Sequence, residues 1–460
     1  MDLNLPRTLK NGGWQGKLAA LPQAVKASLE VLRGERQELP QFANSLALIL
    51  GRMAASGLGF LTWLVLARLY APTEVGLASG LISATMLLVQ LSLLGIGSAF
   101  ITRYPHYRED STRLLDTALG LVSGAALLGA GVFILLSARF FTELSIIAEQ
   151  PAFALLFFLM ALFGGLNSLM DSFSIAFRRS DQVLLRNVLF GVTTISAGVI
   201  FSLLTAHESI YIISGWVLAG FGACVLGGVQ LWKTLSRYHF RWRLDRGIAG
   251  ELIATGLPNY LLTLSERAPN WVLPILVTEL ISPADNARWY AVWMTAWVVY
   301  QIPISVGQNL FADVSRHPER LKSLVAHSHR TSLAVGGLVG TLMLIFAPLV
   351  LSLLGREYAL EGTLPLRILS LAVYPGIFIQ AYYAVCRGTF RLREATLMGL
   401  VTGVAGTIAA AVVGLSYGLA GMATAWLVVQ SAAGAWAAWR THLLARQIGK
   451  EVSPIAAEPG

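Results

Sequence analysis

A chain of 460 residues with 55% hydrophobic and 13% charged residues, and a mean hydropathy of +0.64, is too apolar for a water-soluble domain. Its net charge of +9 would suit a nucleic-acid ligand in a soluble protein. Here the basic residues sit mostly in short segments between apolar runs, so membrane topology accounts for them and no nucleic-acid partner is expected.

Residues 1–42 are polar and basic and lack the apolar core and small-residue cleavage site of a signal peptide, so they are expected to stay on the protein as a cytoplasmic segment. Leu21, Val25, Leu29 and Leu32 share one helical face there, which leaves two readings open, a helix lying on the inner leaflet or a disordered tail. Six apolar spans follow near 43–67, 75–102, 114–137, 151–177, 182–204 and 210–233, giving a first lobe over 43–233. A basic cytoplasmic linker covers 234–250. Six more spans lie near 251–280, 286–312, 331–355, 364–387, 395–416 and 418–438, giving a second lobe over 251–438, with a cytoplasmic tail over 439–460. In hydrocarbon only helices or closed barrels satisfy their own backbone groups, and these runs are too long for barrel strands. The expected fold is therefore an all-α polytopic membrane protein with about twelve transmembrane helices.

Seventeen loop cations, among them Arg103, Arg178, Arg241, Arg316 and Arg387, fall on one side of this arrangement. Arg68, Arg139, Arg288 and Arg356 are the only four on the other, which places both termini in the cytoplasm. The halves also repeat. At an offset of 211 the segment from Pro72 to Phe100 meets that from Pro283 to Phe311 without a gap, pairing Gln90 with Gln301. At 209, FRRSD with Arg178 meets CRGTF with Arg387. Six intervening spans give the copies the same orientation, so the expected arrangement is a 6+6 parallel repeat about an axis along the membrane normal.

The informative ionisable residues inside spans are Arg52, Asp171, Arg186, Glu266, Arg267 and Arg367. A charge at the bilayer centre costs about 2.5–3.5 kcal/mol on insertion scales, so each is expected to face the interior, paired or in use. Arg186 and Arg367 lie near span ends, where snorkelling to an interface is the alternative. Arginines outnumber carboxylates four to two in this set. Such an excess suits an anionic ligand, a diphosphate for example, which guanidinium binds in a bidentate manner. Asp171 and Glu266 are either ion-pair partners that hold arginines in register or acceptors for a coupling ion. Pro258, Pro269 and Pro274 interrupt the seventh span as a candidate gate or hinge, with passive kinking the other reading. Trp271, Trp289, Tyr290, Trp293, Trp297 and Tyr300 crowd the start of the second lobe, most of them expected as interfacial anchors or packing and a minority as a surface for a sugar face. Only Cys224 and Cys386 are present, each in an apolar span, and no metal site or cofactor is expected.

The stretch LARLYAPTEVGLASGLISATMLLVQLSLLGIGSAFITRYP, with GLPNYLLTLSERAPNWVLPILV and WYAVWMTAWVVYQIPISVGQNLFADVSR in the second half, resembles bacterial polysaccharide biosynthesis proteins, the oligosaccharide flippases. These belong to the multidrug/oligosaccharidyl-lipid/polysaccharide flippase superfamily, which also holds multidrug and toxin extrusion proteins and the lipid II flippase. The resemblance covers most of 43–438 and has no strict site motif. It implies two six-helix bundles in the bacterial cytoplasmic membrane that alternate between inward and outward openings. The implied function is to carry a polyprenyl diphosphate-linked oligosaccharide outward for surface or exopolysaccharide synthesis, in contact with membrane lipids and with polysaccharide assembly proteins. By analogy Arg52, Arg267, Arg186 and Arg367 would line the cationic cavity. The 42-residue leader is longer than this group's. An ion-coupled exporter of drugs or metabolites on the same fold is the alternative, to be separated by a drug-efflux assay. A membrane polymerase or ligase is disfavoured, because no large external loop carries acid and base groups.

Overall fold

The computed structural model describes residues 56–108, 110–235, 238, 241 and 244–452, the last five in backbone only. The N-terminal segment 1–42, Arg52 and the end of the C-terminal tail lie outside the described residues. Within them every regular element is a helix. The first half contains α1 (Ser56–Leu69), α2 (Pro72–Leu93), α3 (Ile96–Arg103), α4 (Ser111–Phe140), the single turn α5 (Ile146–Glu149), α6 (Pro151–Ala176), α7 (Ser180–Leu204) and α8 (Ser209–Thr234). The second contains α9 (Arg246–Arg267), α10 (Pro269–Leu280), α11 (Pro283–Arg316), α12 (Leu321–Ser352), α13 (Arg356–Leu371), α14 (Val373–Gly388) and α15 (Leu392–Val452).

The sequence sets these ends by ordinary capping chemistry. Pro72, Pro151, Pro269 and Pro283 each occupy the first turn, where a missing N–H costs nothing. Asp245 caps α9 by accepting from the amides of Gly247 and Ile248 at 2.9 and 3.2 Å, and Ser282 caps α11 by accepting from Asp285 N at 3.0 Å. Helix α2 stops at Leu94 and Gly95, both with positive φ, and α15 is broken at Gly418 (φ 62, ψ −156).

Seven helical segments among the described residues are long and apolar enough to cross a membrane, and an eighth is the pair α13 and α14, bent by 41°. The expected count of twelve is not established by that measure, for visible reasons. Helix α1 is described only from Ser56, α9 and α10 carry the Glu266–Arg267 pair and three prolines, α11 is diluted by Trp, Tyr and Gln301, and α15 passes as one 56-residue segment despite its break. Outward-facing leucines such as Leu128, Leu135, Leu203, Leu349 and Leu400 give the bundle an apolar exterior, and the protein is an all-α multi-pass membrane protein.

Helix boundaries repeat along the chain. Pro72 and Pro283 differ by 211, Ser111 and Leu321 by 210, Ala176 and Gly388 by 212, and Ser180 and Leu392 by 212. The halves touch at both ends. At the arginine-poor end, buried Asn286 donates from Nδ2 to Gly76 O at 2.9 Å and to Ser79 Oγ at 3.0 Å. Glu279 there accepts from the amides of Thr142, Glu143 and Leu144 at 2.6–3.2 Å. A Cβ at Gly76 would stand 1.6 Å from the Pro283 carbonyl oxygen, so only glycine permits this approach. At the arginine-rich end, Gly95 and Gly256 meet backbone to backbone. Beside them Arg103 pairs with Glu251 at 3.0 Å, and Tyr107 Oη donates to Glu251 at 2.6 Å.

Candidate functional site

Among the described residues each half holds a cavity edged by an acid–arginine pair. In the first half the cavity, about 200 Å³, lies among α2, α6, α7 and α8. Arg186, on α7 and only 2% exposed, is held on every side. Its Nη2 reaches Asp171 Oδ1 at 2.7 Å and Ser174 Oγ at 3.1 Å, its Nε reaches the same Asp171 oxygen at 3.2 Å, and Nη1 donates to Gln230 Oε1. Gln230 and Gln182 extend the network to Thr234 through Gln182 Nε2, 3.2 Å from Thr234 Oγ1. Helix α8 packs closely here at Gly227, where an added Cβ would stand 2.3 Å from Met170 Sδ and would require that side chain to move. Asp171 is a third exposed and faces the cavity. Asn167 also lines it, and its Oδ1 is buried without a hydrogen-bond partner among the described residues.

In the second half the cavity, about 110 Å³, is bounded by α11 and both parts of α15 and by the two places where a span breaks, α9 to α10 and α13 to α14. Glu266 and Arg267 line it, followed by Pro269 and Asn270. Glu266 accepts from Arg387 Nη2 at 2.6 Å, so the carboxylate is paired with a guanidinium from α14. Arg267 is close enough to act electrostatically on Glu266 as well. The formal charge at this edge is thus two guanidiniums against one carboxylate, whereas Arg186 and Asp171 cancel. Aromatic rings supply much of the remaining wall. Trp293 meets Trp426 edge-on with centroids 5.3 Å apart, Trp297 meets Tyr300 at 6.3 Å, and Tyr300 Oη donates to Leu369 O at 2.5 Å.

The residues singled out in the sequence therefore separate. Arg186 and Asp171 form one pair, Glu266 and Arg267 border the other cavity, and Arg52 lies outside the described residues. Arg367 is exposed on α13 and donates from Nε to Leu344 O at 3.0 Å, so it does not line either cavity. The gate candidates are also dispersed. Pro258 lies two residues beyond the Gly95–Gly256 contact, Pro269 lines the second cavity, and Pro274 is buried inside α10. Sequence reasoning counted Arg387 as a loop cation and overlooked Gln182, Gln230, Gln380 and Gln430, since only ionisable groups were sought inside spans. The alignment of Arg387 with Arg178 was the available signal. Both cysteines are free thiols.

Three comparisons place this architecture. A family model described as polysaccharide biosynthesis protein matches residues 42–311. A comparison with curated protein sequences gives no match. Among solved structures, the chain is similar to an inward-facing multidrug resistance MATE family transporter of the MOP superfamily. The TM-score is 0.66 and the identity 14%, with 88% of this chain and 99% of that one covered. It is similar to the lipid II flippase MurJ in an inward closed conformation, with a TM-score of 0.65, 12% identity, and 90% and 94% covered. A MOP superfamily transporter from Pyrococcus furiosus gives a TM-score of 0.58 at 14% identity, with 93% and 97% covered. At these identities the likeness concerns the fold, which is of the MATE/MOP kind.

Proposed function

Since this chain belongs to the polysaccharide biosynthesis protein family, and its fold is that of membrane transporters and flippases, we propose that it translocates a polyprenyl diphosphate-linked oligosaccharide by alternating access. The observation that carries this reading is the composition of the second cavity's edge, where among the described residues two guanidiniums, Arg267 and Arg387, accompany the single carboxylate of Glu266. A guanidinium that keeps its charge in a low-dielectric cavity is suited to a diphosphate, because bidentate hydrogen bonds replace the water both partners lose. Arg186 does not share that role, since its donors are spent on Asp171, Ser174 and Gln230. In this reading the arginine-rich end faces the cytoplasm of a bacterium and the substrate enters there. The apolar tail stays among the lipid-facing helices while the headgroup crosses, and the two halves rock about it.

The test is reconstitution into liposomes with a fluorescent lipid-linked oligosaccharide. Translocation that falls by roughly 10- to 100-fold in Arg267→Ala, with membrane insertion intact, is the expected result, matching the loss of about 1.5–3 kcal/mol for a charged hydrogen bond. Absence of translocation by the unaltered protein under any ion gradient would sink the proposal. A second reading, ion-coupled export of drugs or metabolites, draws on the cavity-facing carboxylate of Asp171. Restored drug tolerance in an efflux-deficient host that disappears in Asp171→Asn, while that variant keeps its yield and melting temperature in detergent, would favour it.

A further inference from the structure

The geometry points to a sugar-binding subsite in the second cavity, one that holds the pyranose nearest the diphosphate of the lipid-linked substrate. The inference rests on the flippase reading above and adds to it where the sugar is recognised. Its basis is a combination that a phosphate site does not need. Asn270, Gln380 and Gln430 all line the cavity, and among the described residues the side chains of these three carboxamides form no hydrogen bond with protein. They come from α10, α14 and the second part of α15, so three helices converge neutral donor–acceptor groups on one space. In a membrane, an amide without a partner costs free energy unless water or a ligand meets it. Each amide offers two donors and one acceptor, which suits hydroxyl groups that both donate and accept.

The walls between these amides are aromatic. Trp297, Tyr300 and Trp426 present ring systems to the same cavity, and the Trp293–Trp426 and Trp297–Tyr300 pairs hold their planes at 76° and 86° to one another. The negative face of an aromatic ring attracts polarised C–H bonds, and one face of a pyranose is a patch of such bonds ringed by hydroxyls. A polyprenyl tail would gain from the rings but would strand the amides. A bare diphosphate would use Arg267 and leave the rings without purpose. Arg267 lies on the same wall, three residues before Asn270, so a phosphate held by the guanidinium delivers the adjoining sugar to the amides. The first cavity is arranged differently: Phe190 and Trp216 line it too, but its Arg186 is internally paired, Asn167 already donates to Gly220 O at 3.0 Å, and Met86 and Met160 fill part of its wall.

The experiment compares binding to the full chain in detergent of three probes: undecaprenyl diphosphate, the same lipid carrying one N-acetylglucosamine, and the same lipid carrying one galactose. Expected is binding of all three, with at least one glycosylated lipid about tenfold tighter than the bare lipid. Gln380→Leu with Gln430→Leu should collapse that ratio towards one, and Trp297→Leu should reduce it. The melting transition of each variant, and the single Gln430→Leu variant, guard against misfolding. Equal binding of bare and glycosylated lipids by the unaltered protein overturns the sugar subsite and leaves the flippase reading standing. Failure of all three lipids to bind overturns both.

Discussion

Several helix boundaries recur between the two halves at offsets of 210–212 residues, yet the halves place their polar groups differently. In the first half an arginine on α7 is buried and neutralised within its own lobe by α6 and α8. In the second, Glu266 at the end of α9 receives an arginine from α14, and a further arginine lines the cavity. A shared backbone plan has thus been filled with a closed network on one side and an open, aromatic-walled one on the other. The lesson is that an intramembrane charge enclosed by its own lobe differs from one that lines a cavity. Arg186 is 2% exposed and makes four hydrogen bonds within its half. Arg267 stands where a ligand can reach it.

That contrast can be broken by experiment. The largest effect is expected from Asp171→Ala, which leaves the buried Arg186 charge unpaired and should cost about 3–5 kcal/mol. Loss of folded yield or a large drop in melting temperature in detergent is the readout, and a variant of unaltered stability with abolished transport would instead make the first pair functional. Next is Gly76→Val. With no room at the Pro283 carbonyl, it should part the halves at the arginine-poor end and abolish transport, measurable as new accessibility of a cysteine introduced at Ser79. Glu266→Gln should be milder, about 1–3 kcal/mol, since Arg387 is a fifth exposed and can be served by water. Arg267→Gln should lower transport more strongly than it lowers the melting temperature. Arg367→Ala should change transport least, within about twofold, because this side chain meets only a carbonyl on the exterior and a surface contact is worth at most about 1 kcal/mol.

Much of this was legible in the sequence. The Pro72–Pro283 alignment found the repeat because both prolines open a helix. Loop cations and apolar runs located most helices, since hydropathy is a one-dimensional property that a window captures. Rotation about a helix axis is not. Arg367 and Arg186 look alike in a window, yet one faces outward and the other is enclosed, a difference set by which neighbours pack on each face. Arg387 was misread for a related reason. It closes α14 in a position that resembles a loop, but its long side chain reaches back to Glu266. The carboxamides were overlooked because neutral residues leave no mark in a charge count, although a glutamine in hydrocarbon also demands a partner.

The paired glycines at 95 and 256 have a mechanical meaning. Where two backbones touch without side chains, their separation gives up dispersion contacts, and the polar groups beside them, Arg103 and Tyr107 on Glu251 and Arg103 on Thr255, are partly exposed and can be rehydrated. The opposite end would have to strip buried Asn286 of both its acceptors and Glu279 of three amides before it could part. The molecule is consequently built as a clasp whose arginine-poor end carries the more deeply buried hydrogen bonds, and the arginine-rich mouth is the end expected to part first.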